Sequence, residues 1–383
     1  MIRTCLAHWQ GIVPPEGVTA RRALPRLVGW RTDDPVLRDR YDAETLIYGG
    51  AWLAEQKLLR LYTPRPLNLL GDLKSAQYGA QGRCLPAPRI RQFKRYATLD
   101  FEVAAPVSEV MVSLGDWQGA LPVIAADPAL FAGCNVLYTM SQDNDLDWIA
   151  DWVRYHHHAH GANALIISDN HSKAYRLENL LDAMRGLGFL KAVAVLGVPY
   201  RYGPSSQICR RASGARYLQS ATANFVRDIW LRQARAVLSC DIDELVISAS
   251  GASVFDRARA SRLGVVSFPG YWRFCDPALE APRHADHVFA RTDRAKPCPT
   301  KYAWSPKGLL ANWSLMTHCL ESVPRRWVSG APDLWFAHCH GITTRWKAGR
   351  EVVAADVVQE RDPAMPEALA RGDLLPALSA SAS

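Results

Sequence analysis

The segment "ARAVLSCDIDELVIS" (234–248) runs from apolar residues into three acids within four positions, Asp241, Asp243 and Glu244. Carboxylates at i and i+2 leave an extended chain on the same side, so Asp241 and Asp243 can converge on one divalent cation. Oxygen ligands of this kind select Mg2+ or Mn2+, ions that bridge phosphate oxygens and neutralise charge building up on a departing nucleoside diphosphate. A pair of surface acids that cap a helix or pair with arginines is the plain alternative. The apolar run in front of the motif argues against it.

Other polar clusters carry weaker chemistry. "SDNHS" (168–172) offers acceptors and hydroxyls suited to a base or ribose, or simply an Asx turn. In "HHHAH" (156–160) three adjacent helical histidines point in different directions and cannot all reach one ion, so a solvated, partly packed helix end is expected. "HCH" (338–340) sets His338 and His340 on one face of a strand, with His318 and Cys319 upstream. These residues lack finger spacing, and structural zinc is not expected.

The elements that must position the acids begin near residue 134. "NVLYTM" (135–140), "ALIIS" (164–168), "AVAVLG" (192–197) and "AVLSC" (236–240) read as strands. The helices between them cover 146–158, a stretch ending near Gly188, and 216–234. Asp145 and Asp147 favour the start of the first helix, and Gly161 closes it. Four strands alternating with helices imply a parallel, doubly wound sheet, which binds ligands beyond the carboxyl ends of its strands. The "DIDE" acids fall at that lip.

Residues 1–130 carry frequent Pro and Gly breaks and read as a small module, mostly β or mixed, with one helical-looking piece at 43–59. Beyond 250 the pattern is irregular and aromatic and is expected to form the acceptor side and a lid. Residues 351–383 read as a helical or disordered tail.

Composition narrows the class. The 383 residues are 49% hydrophobic and carry a formal charge of +8, which suits anionic partners without choosing among them. No zinc-finger or RNP signature is present, and nucleic acid is not the expected partner. The 9 cysteines are scattered and read as reduced thiols. The first residues lack an apolar signal core, and the stretch 121–140 is broken by Asp127 and two prolines, so no bilayer span is expected.

Three blocks in order, "QDNDLDWIADWVRYHHHAHGANALIISDNHS", "YLQSATANFVRDIWLRQARAVLSCDIDELV" and "FAHCHGITTRWK", resemble glycosyltransferase family 92 and its family 2-like bacterial relatives. The match covers about 134–350. The usual "NE" of the first block appears here as "QDND", and "EW" as Asp151-Trp152. The resemblance implies a GT-A fold, the Rossmann-like nucleotide-diphospho-sugar transferase domain, over 131–350. It implies sugar transfer, by inversion, from a nucleotide sugar such as a UDP-sugar to a hydroxyl of a glycan or lipid-linked acceptor. Polysaccharide biosynthesis in a bacterial cytoplasm, free or peripheral at the inner face of the membrane, is the matching setting.

In that reading Asp241, Asp243 and Glu244 form the catalytic group, with Asp241, Asp243 and His338 toward Mn2+ or Mg2+. Asp143, Asp169, Asn170, Ser172, Gln219, Asn224, Arg345 and Lys347 fall to the donor, the last two at its diphosphate. The base that takes the acceptor proton stays open among Glu244, Asp276, Glu280, Asp286 and Asp293. Two rivals stand beside the enzyme: a basic α/β protein binding nucleic acid or an anionic surface, and a degenerate transferase acting as a scaffold.

Overall fold

The computed structural model describes residues 2–24, 39–204, 215–291, 297–342 and 359–375. It is a mixed α/β structure built on a nine-stranded sheet and an eight-stranded one.

In the nine-stranded sheet the order is Arg3–His8, Ala192–Gly197, Ala164–Asp169, Asn135–Ser141, Ala236–Ser239, Cys298–Trp304, Val265–Arg273, Leu334–Cys339 and Glu244–Ser248. The first five are mutually parallel. From Ala236–Ser239 onward the pairings are antiparallel, except that Val265–Arg273 and Leu334–Cys339 run parallel. The four strands expected from sequence are present. Their order reverses between Asn135–Ser141 and Ala236–Ser239, which is the switch point where such sheets open a crevice at their carboxyl ends.

Alternation along these buried strands sorts their side chains onto two faces. Val136, Tyr138, Ile166, Ala194 and Val237 join one core with Trp9, Phe225 and Trp230. Leu137, Ile167, Val195 and Leu238 join the other with Ile149, Trp152, Leu180 and Phe255. The second face is covered by helices Leu146–His160, Leu177–Arg185, Val254–Ala260 and Ala364–Arg371. Asp145 caps the first of these by accepting from the Asp147 N–H at 2.8 Å, and Gly161 ends it at φ 74, as the sequence indicated.

Several elements differ from the expectations. Arg3–His8 pairs with Ala192–Gly197 rather than with its own module. The half beyond 250 supplies three strands to the main sheet and is not simply irregular. Residues 43–59 form no long helix: Gly49–Leu53 and Leu58–Pro64 pair as a hairpin whose turn needs Lys57 at φ 49. Its Trp52, Leu59 and Leu61 point into the module's own core. The tail includes the strand Gln359–Arg361 and the helix Ala364–Arg371.

The eight-stranded sheet of the N-terminal module meets the α/β domain through a shared core that joins Tyr62 and Tyr96 to Phe225 and Trp230, and through a buried charge cluster. Asp228 is 2% exposed and receives Arg60, Arg227, Arg232 and the Tyr62 hydroxyl. Burial opposes its charge, but the three guanidinium groups outweigh that and hold its carboxyl well below the usual range. No disulfide joins the described cysteines. Among the described residues no helix is long and apolar enough to cross a membrane.

Candidate active site at the sheet's carboxyl edge

The "DIDE" motif is a tight turn, not an extended strand. The Glu244 N–H returns to the Asp241 carbonyl at 3.1 Å, joining the strand Ala236–Ser239 to Glu244–Ser248. The alternation expected to point Asp241 and Asp243 the same way therefore does not operate, and the two carboxylates part company.

Asp241 turns toward Lys301, whose Nζ lies 2.8 Å from Asp241 Oδ2 and 3.0 Å from Glu244 Oε2. Glu244 also accepts the Asp241 backbone N–H at 2.8 Å. Lys301 is 1% exposed and answers the puzzle of so many acids after an apolar strand: an ammonium buried behind them supplies the missing charge. Burial works against that ammonium, yet Asp241 and Glu244 outweigh it and raise its pKa. Burial pushes the Glu244 carboxyl up to about 8, with Lys301 pulling the other way and Asp241 and Asp243 reinforcing the rise.

Asp243 turns the other way. Its Oδ2 lies 3.0 Å from His338 Nε2, and its carbonyl accepts the Cys339 N–H at 2.7 Å. Glu244 stands directly across the ladder from His338. The Trp272 ring stacks on the His338 imidazole with centroids 3.8 Å apart and fixes its plane. That stack depends on close packing nearby, because a Cβ on Gly270 would fall 2.0 Å from the Phe336 ring.

One ligand atom each from Asp243, Glu244 and His338 lie within 4.8 Å of one another. Two carboxylates and an imidazole suit Mn2+, and the carboxylates alone suit Mg2+, so the donor set fits a divalent cation. Asp241, expected among the ligands, is outside that group, and Glu244 is inside it. The three are 1%, 2% and 6% exposed, so the pocket they form is closed and an ion there would keep few waters.

The helix bearing "HHHAH" braces this turn. Trp152 Nε1 donates to the Glu244 carbonyl at 3.1 Å and the Tyr155 hydroxyl to the Val246 carbonyl at 2.9 Å. His156 Nε2 accepts the Val246 N–H at 3.2 Å while its Nδ1 donates to the Trp152 carbonyl at 2.8 Å. His160 Nε2 donates to the Val246 carbonyl at 2.7 Å while its Nδ1 accepts the Val254 N–H at 3.2 Å. Both rings are buried and neutral, not solvated as expected, and burial drives their pKa down, that of His160 to about 4. Asp151 of the same helix pairs with Arg283 at 2.7 Å.

On the other side of the switch point a cavity of about 450 Å3 is lined by Asp143, Asn170, His171, Tyr200, Arg201 and Tyr202 among others. Asp143 (φ 50) accepts the Lys173 and Ala174 backbone N–H groups on Oδ1, at 2.6 and 2.9 Å. Its own N–H donates to Ser172 Oγ at 2.8 Å, and Ser172 donates in turn to Asp169 Oδ2 at 2.6 Å. Asn170 Nδ2 donates to the Val198 and Tyr200 carbonyls at 2.9 and 2.7 Å. Of the residues expected at the donor, Asp143 and Asn170 line this cavity, and Asp169 and Ser172, linked to Asp143 by these hydrogen bonds, line a neighbouring one.

The middle block divides differently. Gln219 Oε1 accepts from Thr317 Oγ1 at 2.9 Å. Asn224 is fully buried, and its amide is engaged by the Ser220 and Leu315 carbonyls and the Leu315 N–H, so it staples the helix Tyr217–Val226 to the 315 segment. Arg345, Lys347 and Asp293 lie outside the described residues.

No protein-family model and no curated protein matches the chain. Among solved structures it is similar to the mannosyltransferase Ktr4p from S. cerevisiae, at 11% identity and a TM-score of 0.25. The likeness covers 39% of this chain and 42% of that one, so the chain spans less than half the length of that protein.

Proposed function

We propose that the protein is a divalent-cation-dependent glycosyltransferase of GT-A type. It takes a nucleotide sugar, a UDP-sugar first among candidates, and passes the sugar with inversion to a hydroxyl of a glycan or lipid-linked acceptor. The observation that carries this reading is the convergence of Asp243, Glu244 and His338 at the turn that follows the parallel strand Ala236–Ser239.

Each part has work to do in that reaction. The wall of Asp143, Asn170 and His171 orients the nucleoside, its hydrogen bonds already made before ligand arrives, which lowers the entropy lost on binding. Asp243, Glu244 and His338 would hold Mn2+ or Mg2+, and that ion supplies positive charge to the diphosphate. The acceptor oxygen then forms a bond to the anomeric carbon as the bond from that carbon to the phosphate oxygen breaks, and the acceptor's proton passes to a base. Lys301 holds Asp241 at the rim, where its side chain is 27% exposed and would face a ribose.

A thermal-shift panel of UDP, GDP and CDP, each with and without Mn2+, tests the reading. One nucleotide is expected to stabilise the protein selectively, only with Mn2+, and not at all in Asp243→Asn. Equal shifts in the wild type and Asp243→Asn, or none with any nucleotide, would remove the proposal.

A further inference from the structure

The large apolar side chains left exposed among the described residues are Val13, Met111, Leu279, Leu309, Trp313 and Trp327. The last three lie on one segment, 305–330, at 72%, 47% and 61% exposure. The segment is firmly held from beneath. Its Leu315, Leu320 and Val328 are buried in the core that includes Phe225 and Trp230, and Leu310 and Val323 pack against that core. Asn224 Nδ2 donates to the Leu315 carbonyl at 2.9 Å, the Tyr302 hydroxyl to the Met316 carbonyl at 2.7 Å, and Arg227 to the Trp313 carbonyl at 2.6 Å. The inward side chains thus complete the core, and the two indoles and Leu309 are left on the outside.

Hydrogen bonds draw these exposed groups into one neighbourhood. Trp313 Nε1 donates to the Glu321 carbonyl at 2.7 Å, and Glu321 Oε1 accepts the backbone N–H of exposed Lys94, in the N-terminal module, at 2.8 Å. Trp313 and Lys94 therefore flank Glu321. Arg325, Arg326 and Trp327 form a single 3₁₀ turn shortly after it, and the six residues from Glu321 to Trp327 reach at most about 20 Å. The path is shorter than that, because the Val323 N–H returns to the Leu320 carbonyl at 3.3 Å and the Trp327 N–H to the Pro324 carbonyl at 3.0 Å.

Charge on this surface has one sign. Lys307, Arg325 and Arg326 are exposed, and Lys94 joins them. The one acid of 305–330, Glu321, turns inward, with Oε2 buried without a hydrogen-bond partner and Oε1 on the Lys94 backbone. We propose that the surface formed by 305–330 and Lys94 docks the protein on an anionic lipid bilayer. Four exposed cations without an exposed acid call for a densely anionic partner, and outward indoles and an outward leucine call for an apolar layer beneath that charge. A bilayer supplies both, because indoles settle among the headgroups while Arg and Lys meet lipid phosphates. Leu309, an aliphatic side chain with no ring to stack, favours lipid over nucleic acid. Asp243 and the cavity at the switch point take no part in this surface, so docking and sugar transfer stand or fall separately.

Co-sedimentation of the full chain with vesicles of phosphatidylglycerol or of phosphatidylcholine, in EDTA and without nucleotide, tests this. Wild type is expected to bind phosphatidylglycerol vesicles, to be released as salt rises, and to bind phosphatidylcholine vesicles far more weakly. Arg325→Ser combined with Arg326→Ser should weaken binding roughly thirtyfold, Lys94→Ser about fivefold and Trp327→Ala about tenfold. These side chains are exposed, so the melting temperatures of the variants are expected to match wild type. Wild type that fails to bind phosphatidylglycerol vesicles, or variants that bind them as tightly as wild type, would overturn the proposal. So would a dimer that Trp327→Ala converts to monomer in the absence of vesicle binding, which would make this face a contact between copies. An RNA oligonucleotide that binds through Arg325 and Arg326 while no vesicle does would overturn it as well. Vesicle binding by a chain that takes up no nucleotide leaves docking standing and removes the transferase reading; nucleotide uptake with Mn2+ and no vesicle binding does the reverse.

Discussion

Acidification should loosen the strand that carries Glu244, and His160 is the residue through which the effect can be measured. Its two ring nitrogens are both used by the backbone of the facing segment, one as donor to Val246 and one as acceptor from Val254. A second proton on the ring abolishes the acceptor and leaves a buried charge. The folded pKa, about 4, lies below the ordinary value of 6.5. The neutral ring therefore stabilises the fold above about pH 6.5, and that stabilisation is lost as pH falls from there toward 4. Between neutral pH and about pH 5 the loss from this residue is about 2 kcal/mol. His284, which donates to the Ile242 carbonyl at 2.7 Å and is likewise pushed down to about 4 by burial, adds a similar loss. Together they approach half the stability of an ordinary domain. Urea unfolding of wild type and His160→Gln at about pH 7.5, 6 and 5 separates the contributions. The amide of glutamine keeps a donor for the Val246 carbonyl but does not titrate, so the variant should be weaker at neutral pH and lose about 2 kcal/mol less on acidification. An identical pH slope in the two proteins would show that His160 does not couple protons to folding.

Lys301→Met leaves two acids facing each other with no counter-charge and should cost about 3–5 kcal/mol near pH 8. The cost should shrink near pH 6, where Glu244 carries a proton; urea midpoints at the two pH values decide, and a larger loss at pH 6 contradicts the pairing. Asp228→Asn leaves Arg227 and Arg232 without their carboxylate at the junction between the module and the α/β domain, while Arg60 keeps Asp100. It should cost about 3–5 kcal/mol, read as a lower denaturation midpoint, while a neutral effect would mean that the cluster does not hold the module in place. Gly270→Ala drives a methyl into the Phe336 ring and should cost about 1–3 kcal/mol, with a weakened near-ultraviolet aromatic signal as the Trp272–His338 stack loosens; unchanged melting would refute the packing.

The parallel half of the main sheet was legible because strands buried on both faces read as continuous apolar runs, and 164–169 and 192–197 are buried at every position. The strand Arg3–His8 was not, because it pairs with Ala192–Gly197 and no local pattern announces so distant a pairing. The hairpin within 43–59 was misread as helical because its apolar residues satisfy both periods over a short window, and Gly49 and Gly50 were the overlooked signal. In the site, the acids and His338 were visible as residue types, but their grouping depended on a turn at 241–244 that single-sequence alternation cannot express. Lys301 escaped altogether. In "TKYAW" it looks like a solvated lysine, and only the antiparallel pairing of its strand with Ala236–Ser239 brings it behind the acids. The hydrogen bonds that join 143 to 169–172 follow from local Asx-type contacts at the ends of neighbouring strands, which the sequence pattern suggests.

Manganese binding followed by electron paramagnetic resonance, with UDP present and absent, bears most directly on the cation at this edge. Wild type should take up about one Mn2+ per chain, more tightly with the nucleotide than without, and Asp243→Asn and His338→Ala should each weaken uptake by roughly tenfold or more while keeping a cooperative melt. Uptake that is the same in wild type and both variants would place the ion somewhere other than Asp243, Glu244 and His338.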